Sequence, residues 1–303
     1  MDSMTARTTL RDMIARHAKD EGVHETAVPR LTLVRASQPT EPLHAVHKPS
    51  ICMIAQGRKR LKLCENLMEY GAGSHLVASL DLPVVGHVCE ASAEEPYLCL
   101  RLDLDLALLG TLVLEMNAPI AQTAPSCKAL GVAETPAALH DAAVRLVALL
   151  DRPQDIPFLA PLVERELLYL LLRGEHAGLL HQMLTPNHRL QNVNRAIGWI
   201  RNNFHRPFSI DQLAQEARMS SSSLHEHFRA MTNMSPLQYQ KQLRLQEARR
   251  LILTEALDAA SAGRRVGYDS PSQFSREYRR QFGAPPLTDV SRLKSQPEQL
   301  AEA

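Results

Sequence analysis

The sequence predicts an α+β multidomain protein: a small all-β domain, a helical segment, and an all-α domain near the C-terminal end. Three observations predict it. Short alternating strands separated by Pro, Gly and Asn run from Leu31 to Asp103. Leu-rich segments of helical period follow, up to Leu184. The last third then carries one helix-turn-helix pattern twice, about fifty residues apart. The predicted division is 1–22, an N-terminal helix; 23–105, a sandwich or small barrel; 106–186, a helical linker or dimerisation region; 187–292, the doubled motif; and 293–303, a polar tail expected to fray.

The elements follow in order. A helix is expected over 8–20, with Leu10, Met13, Ile14 and His17 at helical spacing. Strands are expected over 31–36, 51–55, 60–63, 68–70, 75–79, 84–90 and 97–103. Leu98, Leu100 and Leu102 alternate with Cys99, Arg101 and Asp103, the signature of an antiparallel strand buried on one face. Seven short strands with regular turns suit a sandwich or small barrel. Helices are expected over 106–116, 136–150, 161–173 and 178–184. Val163, Leu167, Leu170 and Leu171 form an apolar stripe that suits either internal core or a subunit interface. Thr185-Pro186-Asn187 reads as a linker.

Charge divides the chain. From Asn187 onward there are 17 Lys+Arg against 11 Asp+Glu, whereas residues 1–186 hold 17 against 22. A basic C-terminal part beside an acidic N-terminal part fits nucleic-acid binding joined to another task. The first residues, charged throughout, do not read as a signal peptide. The apolar run 104–116 is too short to span a bilayer. Five cysteines with no Cys-x-x-Cys spacing favour a reducing, cytoplasmic setting.

In the C-terminal third, a helix over 189–203 presents Val193, Ala196, Ile197 and Ile200 on one face, with Trp199, the only tryptophan, expected in its core. Ser209 caps the next helix, with Gln212 as a capping-box partner. Ile210, Leu213, Ala214 and Ala217 form its buried face. Ser220 caps the first reading helix, where Leu224 and Phe228 point inward and Ser221, Ser222, His225, Glu226 and Arg229 point outward. A helix over 236–254 starts at Ser235-Pro236. It carries Leu237, Leu243, Leu251 and Ile252, with Lys241, Arg244, Arg249 and Arg250 on other faces. Ser270-Pro271 starts the second reading helix, with Phe274 and Tyr278 inward and Ser272, Gln273, Ser275, Arg276, Arg279 and Arg280 outward. Arg bonds guanine bidentately, and Ser and Gln reach base edges or phosphates. Ser221, Arg229, Lys241, Gln273, Arg279 and Arg280 are assigned to phosphate or groove-edge contact.

A family resemblance rests on these residues: Ile210-x-x-Leu213-Ala214, Met219-Ser220, Leu224-x-x-x-Phe228, Met234-Ser235-Pro236, Arg244-Leu245-x-x-Ala248-Arg249, Val266-Gly267-Tyr268, Ser272-Gln273-Phe274-Ser275-Arg276 and Phe282-Gly283-x-Pro285-Pro286. They resemble the DNA-binding domain of the AraC/XylS family of bacterial transcription regulators. By matching position, the resemblance places base-facing residues at Ser222, His225 and Glu226, and at Pro271, Ser272 and Arg276. It implies promoter DNA as partner; RNA polymerase and a second copy of the chain are further candidate partners. Arg218 stands where the family often has Gly, and Glu226 where it often has a basic residue. Ala259, Ala262 and Gly263 thin the first helix of the second unit, so a looser second unit is expected.

The N-terminal half resembles one AraC-type subgroup through His24-Glu25-Thr26-x-x-Pro29, Ser37-Gln38-Pro39-Thr40-Glu41-Pro42-Leu43-His44, Gln56-Gly57-Arg58-Lys59 and Asp81-Leu82-Pro83-Val84. That resemblance implies a cupin-like β-barrel housing an unidentified small effector. The enzyme alternative, a metal-dependent cupin, would draw on His44, His47, His75 and His87. Cupin sites use His-x-His on one strand, however, and His44 and His47 are three apart in an expected Pro-flanked loop. The expectation is no cofactor, no metal and no catalysis. Cys52, Cys89 and Cys99 on strands, and Cys64 beside Lys62, leave open a redox or aldehyde sensor; the other reading is that they fill a core. A constitutive DNA-binding protein whose barrel only dimerises is a further alternative.

Overall fold

A computed structural model describes residues 3–63, 66–116, 129–184 and 188–294. The chain folds into two compact units, the second beginning at His188. The expected linker 185–187, Cys64, Cys127 and residues 295–303 lie outside the described residues.

The first unit opens with α1, Ser3–His17, and continues through β1 Gly22–Glu25, β2 Leu31–Ala36, β3 Leu43–His47, β4 Ser50–Gln56, β5 Arg58–Leu63, β6 Asn66–Gly71, β7 Ser74–Ala78, β8 Leu82–Glu90 and β9 Tyr97–Asp103. Then come α2 Leu106–Met116, β10 Leu130–Glu134, α3 Ala137–Ala148, α4 Ile156–Arg173 and α5 Ala177–Leu184. Two sheets form: one ordered β1-β2-β9-β4-β7-β10, the other β3-β8-β5-β6. This is the open, two-sheet jelly roll of a cupin-like domain.

The register explains which side chain goes where. Leu33 pairs with Leu100, and Met53 also pairs with Leu100, so these apolar positions share one face of the larger sheet. Leu10 and Ile14 of α1, Leu146 of α3 and Leu168 of α4 pack on that face in one core with Leu33, Met53 and Leu100. Cys52 and Cys99 belong to the opposite face, and both are buried as well. Central strands β4 and β9 are therefore covered on both sides, which a single alternating pattern does not announce.

Charge fastens the helices to the sheet. Arg30, in the β1–β2 turn with φ +66°, donates to Glu164 of α4 through Nε at 3.1 Å and Nη2 at 2.6 Å. Glu164 is 5% exposed, and a carboxylate so placed requires such a bidentate partner.

Several elements differ from expectation. β1, β3 and β10 are absent from the sequence reading: each is four or five residues long and gains its place from pairing with a neighbour. His44 and His47 therefore lie on strand β3, not in a loop. Helix α1 begins at Ser3 and ends three residues early. Helix α4 starts at Ile156 and runs through Pro161. Pro161 supplies no N–H for the carbonyl of Pro157, which lies in the exposed first turn of the helix. Of the apolar stripe on α4, Leu167 and Leu171 are buried and Val163 and Leu170 pack against the same core, so it is internal. A second row, Phe158, Leu162 and Tyr169, faces outward on α4.

Candidate nucleic-acid interface and sandwich interior

The second unit is all helical: α6 His188–Asn203, α7 Ile210–Glu216, α8 Ser221–Thr232, α9 Pro236–Thr254, α10 Ala259–Arg265, α11 Pro271–Phe282 and α12 Pro286–Lys294. The pairs α7–α8 and α10–α11 repeat one geometry. Ser209 and Asp258 each accept from the backbone three residues on, at Gln212 N (3.1 Å) and Ser261 N (2.9 Å). At the corners Met219 N donates to Ala214 O and Tyr268 N to Gly263 O, both at 2.9 Å. Arg218 N donates to Gln215 O and Gly267 N to Arg264 O, both at 3.0 Å. These are paired Schellman stops. Each turns on a left-handed residue, Arg218 at φ +54° and Gly267 at φ +94°. Ser220 and Ser270 then cap α8 and α11, and Asn233 and Gly283 end them left-handed.

Close approach separates the two corners. A Cβ at Gly267 would lie 2.1 Å from the carbonyl oxygen of His205, so the second corner admits only glycine. The first admits Arg218, whose carbonyl accepts from Asn192 Nδ2 at 3.3 Å.

Inside each unit the expected anchors are buried: Leu213, Leu224 and Phe228 in the first; Ala262, Val266, Phe274 and Tyr278 in the second. Phe228 meets Tyr239 edge to face at 5.5 Å, and Phe274 meets Tyr278 at 5.5 Å. A Cβ at Gly263 would approach the Phe274 ring at 3.0 Å, so the missing methyl makes room for that ring.

Outward lie Ser222, His225, Glu226 and Arg229 on α8, and Pro271, Ser272, Gln273, Ser275, Arg276, Arg279 and Arg280 on α11, all exposed. Spacings of three and four put 222, 225, 226 and 229 on one face, and 272, 275, 276 and 279 on the other helix's equivalent face. Ser221 is half-buried and donates to Asp211 Oδ1 at 2.5 Å, so it stabilises the start of α8. Lys241 is half-buried on α9. Gln273 Nε2 lies 3.5 Å from Glu277 Oε1, and Glu277 accepts from the Tyr268 hydroxyl at 2.9 Å. Burial, with that carboxylate, raises the Tyr268 phenol above its ordinary range.

Two of the cations on the other faces of α9 are structural. Arg249 is 6% exposed and bonds Asp289 bidentately at 2.8 and 2.9 Å, with its guanidinium 4.5 Å from the Phe282 ring centroid. Tyr278 donates to the same carboxylate at 2.9 Å. Arg244 donates to Phe204 O at 2.5 Å and to Gly267 O at 2.8 Å. Gln240 adds bonds to Phe204 O and Arg206 O. Thus α9 clamps both the chain leaving α6 and the second corner. Burial lowers the pKa of Arg244. Leu237, expected inside, is 50% exposed, and Trp199 is half-buried against Phe208 at 5.3 Å. The partner Asp289 sits on α12, forty residues from Arg249, and no local pattern links them.

In the first unit the face of β4 and β9 away from the helices holds a thiol pair. Cys99 stands opposite Ile54, so Cys52 is its diagonal neighbour. Cys52 Sγ lies 3.7 Å from His47 Nε2 on β3. The Cys99 hydrogen bond and His47 draw the Cys52 thiol down, and the same contact with burial pushes Cys99 up. Cys89 is half-buried, and burial raises its thiol. Among the described residues no three His, Cys, Asp or Glu side chains gather as metal ligands. None of the described helices is long and apolar enough to cross a membrane.

Comparison with known proteins identifies the family. Residues 27–179 match the model of the AraC-type transcriptional regulator N-terminus, and residues 213–290 match a helix-turn-helix domain. The chain belongs to the AraC-type transcriptional regulators. Its curated relatives include the HTH-type transcriptional activator RhaS of Escherichia coli (strain SMS-3-5 / SECEC). That protein is 26% identical over 144 residues, 47% of this chain and 51% of RhaS. The chain thus spans about half the length of the curated relatives it matches. Among solved structures, an apo ToxT variant from Vibrio cholerae strain SCE256 superposes with TM-score 0.58 at 11% identity, over 88% of this chain and 98% of ToxT. ToxT bound to an unsaturated fatty acid gives 0.57 at 14% identity, over 86% and 93%. At such identity these neighbours establish the fold of this AraC-type regulator, two-sheet domain followed by helical domain.

Proposed function

We propose that this AraC-type regulator controls transcription by binding promoter DNA through α8 and α11, under control of a small effector held in its N-terminal domain. The observation that carries this reading is the duplication: two corners with the same hydrogen-bond pattern present two exposed helix faces from one chain. In this reading Ser222, His225 and Glu226, and Pro271, Ser272 and Arg276, read base edges; Arg229, Gln273, Arg279 and Arg280 hold phosphate or groove edge, with Ser221 and Lys241 beside them. Arg276 would take guanine bidentately, and Glu226 would accept from a cytosine amino group. A 19-residue α9, about 28 Å long, suits two units set one DNA turn apart.

The effector role is supported by the family match and by ToxT, whose structures hold an unsaturated fatty acid or a naphthalenyl butenoic acid. A cytoplasmic location and contact with RNA polymerase follow from the same reading. So does a homodimer, for which the outward row Phe158, Leu162 and Tyr169 on α4, with Leu114 on α2, supplies an apolar face. Footprinting on DNA upstream of neighbouring genes tests the reading: protection should cover two successive major grooves. Uniform, sequence-independent protection would sink it.

One observation favours a second reading. Cys52, beside His47 and Cys99, could add as thiolate to an aldehyde carbon, the carbonyl oxygen taking the proton, to give a thiohemiacetal. Cys52→Ser should then abolish any aldehyde-dependent change in DNA affinity while leaving affinity without aldehyde unchanged.

A further inference from the structure

On the helix-facing side of the larger sheet, two histidines lie buried against each other. His75 of β7 stands opposite Met53 of β4 and Ala133 of β10. Met53 belongs to the core beneath the helices, so His75 points toward them and away from the Cys52 face. His176 lies between α4 and α5. The two rings meet at 5.0 Å and 81°, and the residues are 4% and 7% exposed.

Their polar atoms are unequally served. His75 Nδ1 lies 3.3 Å from Thr135 Oγ1. His176 Nε2 is buried with no hydrogen-bond partner among the described residues. Leaving such an atom unmatched is unfavourable, so its retention needs a reason. Gly131 shows that the ring's position is built in. A Cβ there would lie 2.6 Å from His176 Cε1 and 2.7 Å from Nδ1, so the imidazole occupies the space of a side chain.

Beside the pair opens a cavity of 240 Å³. That volume corresponds to about eight water-sized groups. Its walls are apolar, from Ala133, Leu139, Leu170 and Leu171, and its rim carries Glu134, Arg173 and Glu175.

We propose that this cavity, lined by both imidazoles, binds a small neutral molecule with an apolar body and one hydroxyl head, such as a phenol or medium-chain alcohol, the head meeting the His176 ring as it turns to bring the enclosed Nε2 to the cavity. Burial holds both imidazoles neutral: His75 is lowered to about 4, and His176 is lowered too. A neutral ring nitrogen donates or accepts according to tautomer, and a hydroxyl matches either. An anion is disfavoured, because two rim carboxylates face one guanidinium, and that of Arg173 already donates to Tyr169 Oη at 3.1 Å. The site lies outside the sandwich interior and goes beyond the proposed function, for it holds whatever the chain does on DNA.

Calorimetric titration of the full-length protein, without DNA, tests it. Phenol and 1-hexanol are the probes, with benzoate and hexanoate as the anionic arm. Saturable binding of one equivalent of phenol or 1-hexanol is expected, at least tenfold weaker in His176→Phe. Ala138→Phe, at the exposed α3 side of the cavity, should block binding without touching the core. Absence of saturable binding by both neutral probes, tighter binding of the anions, or unchanged affinity in both variants would overturn the proposal. Loss of operator binding alone would bear on the proposed function, not on this cavity.

Discussion

At the residue scale, the two left-handed corners make opposite predictions. Gly267→Ala drives a methyl into the His205 carbonyl, and the cost should exceed about 2 kcal/mol in urea unfolding. Arg218→Gly should be neutral or stabilising by up to about 1 kcal/mol, since a non-glycine residue already bears the left-handed strain there. Equal destabilisation by both would show that the corners are not built as described. The buried pair offers a second check. Asp289→Ala leaves the Arg249 guanidinium uncompensated and strips the Tyr278 hydroxyl of its acceptor, so a loss of about 3–5 kcal/mol is expected. Arg249 also shows where sequence reading stops: its spacing on α9 matches that of surface cations, and only the arrival of α12 makes it a core residue.

At the element scale, α10 and the contact of β7 with the α4–α5 turn carry the predictions. Helix propensity alone says Gly263→Ala should stabilise α10 by about 1 kcal/mol. The Phe274 ring, 1% exposed and held by Tyr268 and Tyr278, blocks that methyl, so a net loss of roughly 1 kcal/mol is expected. A measured gain would mean the ring yields. We propose that the second unit is looser than the first; hydrogen exchange giving equal protection to both without DNA would contradict it. Where β7 meets the α4–α5 turn, His75 is lowered from its ordinary value to about 4 by burial, then by His176. The unfolded chain takes up this proton near pH 6.5 and the folded one only near pH 4. Folding stability is therefore full above pH 6.5 and falls as pH drops toward 4, by up to about 3 kcal/mol from this group. The loss should shrink in His75→Gln, read as the urea midpoint against pH. On α4, the charge in Leu162→Glu should disperse any homodimer in sedimentation without changing the fold, because Leu162 is 62% exposed.

At the scale of the whole molecule, the proposed function makes the uneven charge the term that should govern association with DNA. Binding should weaken steeply with salt, and Arg279→Ala should lower the slope of log affinity against log salt by about one without changing sequence preference. Arg276→Ala should instead cost about 1–3 kcal/mol and relax preference at one base pair. An Arg276 variant that weakens all sequences alike would move that residue to the phosphate group.

Much of this molecule was legible because its signals are local. The doubled motif, its caps at Ser209, Ser220, Asp258 and Ser270, and the alternation in β2 and β9 each depend on neighbours a few residues away. Strands β1, β3 and β10 were not legible: β3 and β10 pair only with the distant strands β8 and β7, and β1, though it pairs with the next strand, has four residues, too few to show a pattern. The sequence by itself determined the two helix-turn-helix units and which faces of α8 and α11 stay exposed, because helical period sorts apolar from polar positions. Tertiary structure alone decided which cations were spent inside, at Arg244 and Arg249, and which histidines met, at His75 and His176. Burial and pairing of charge are set by residues from 23 to 134 positions apart, and no local pattern carries that information.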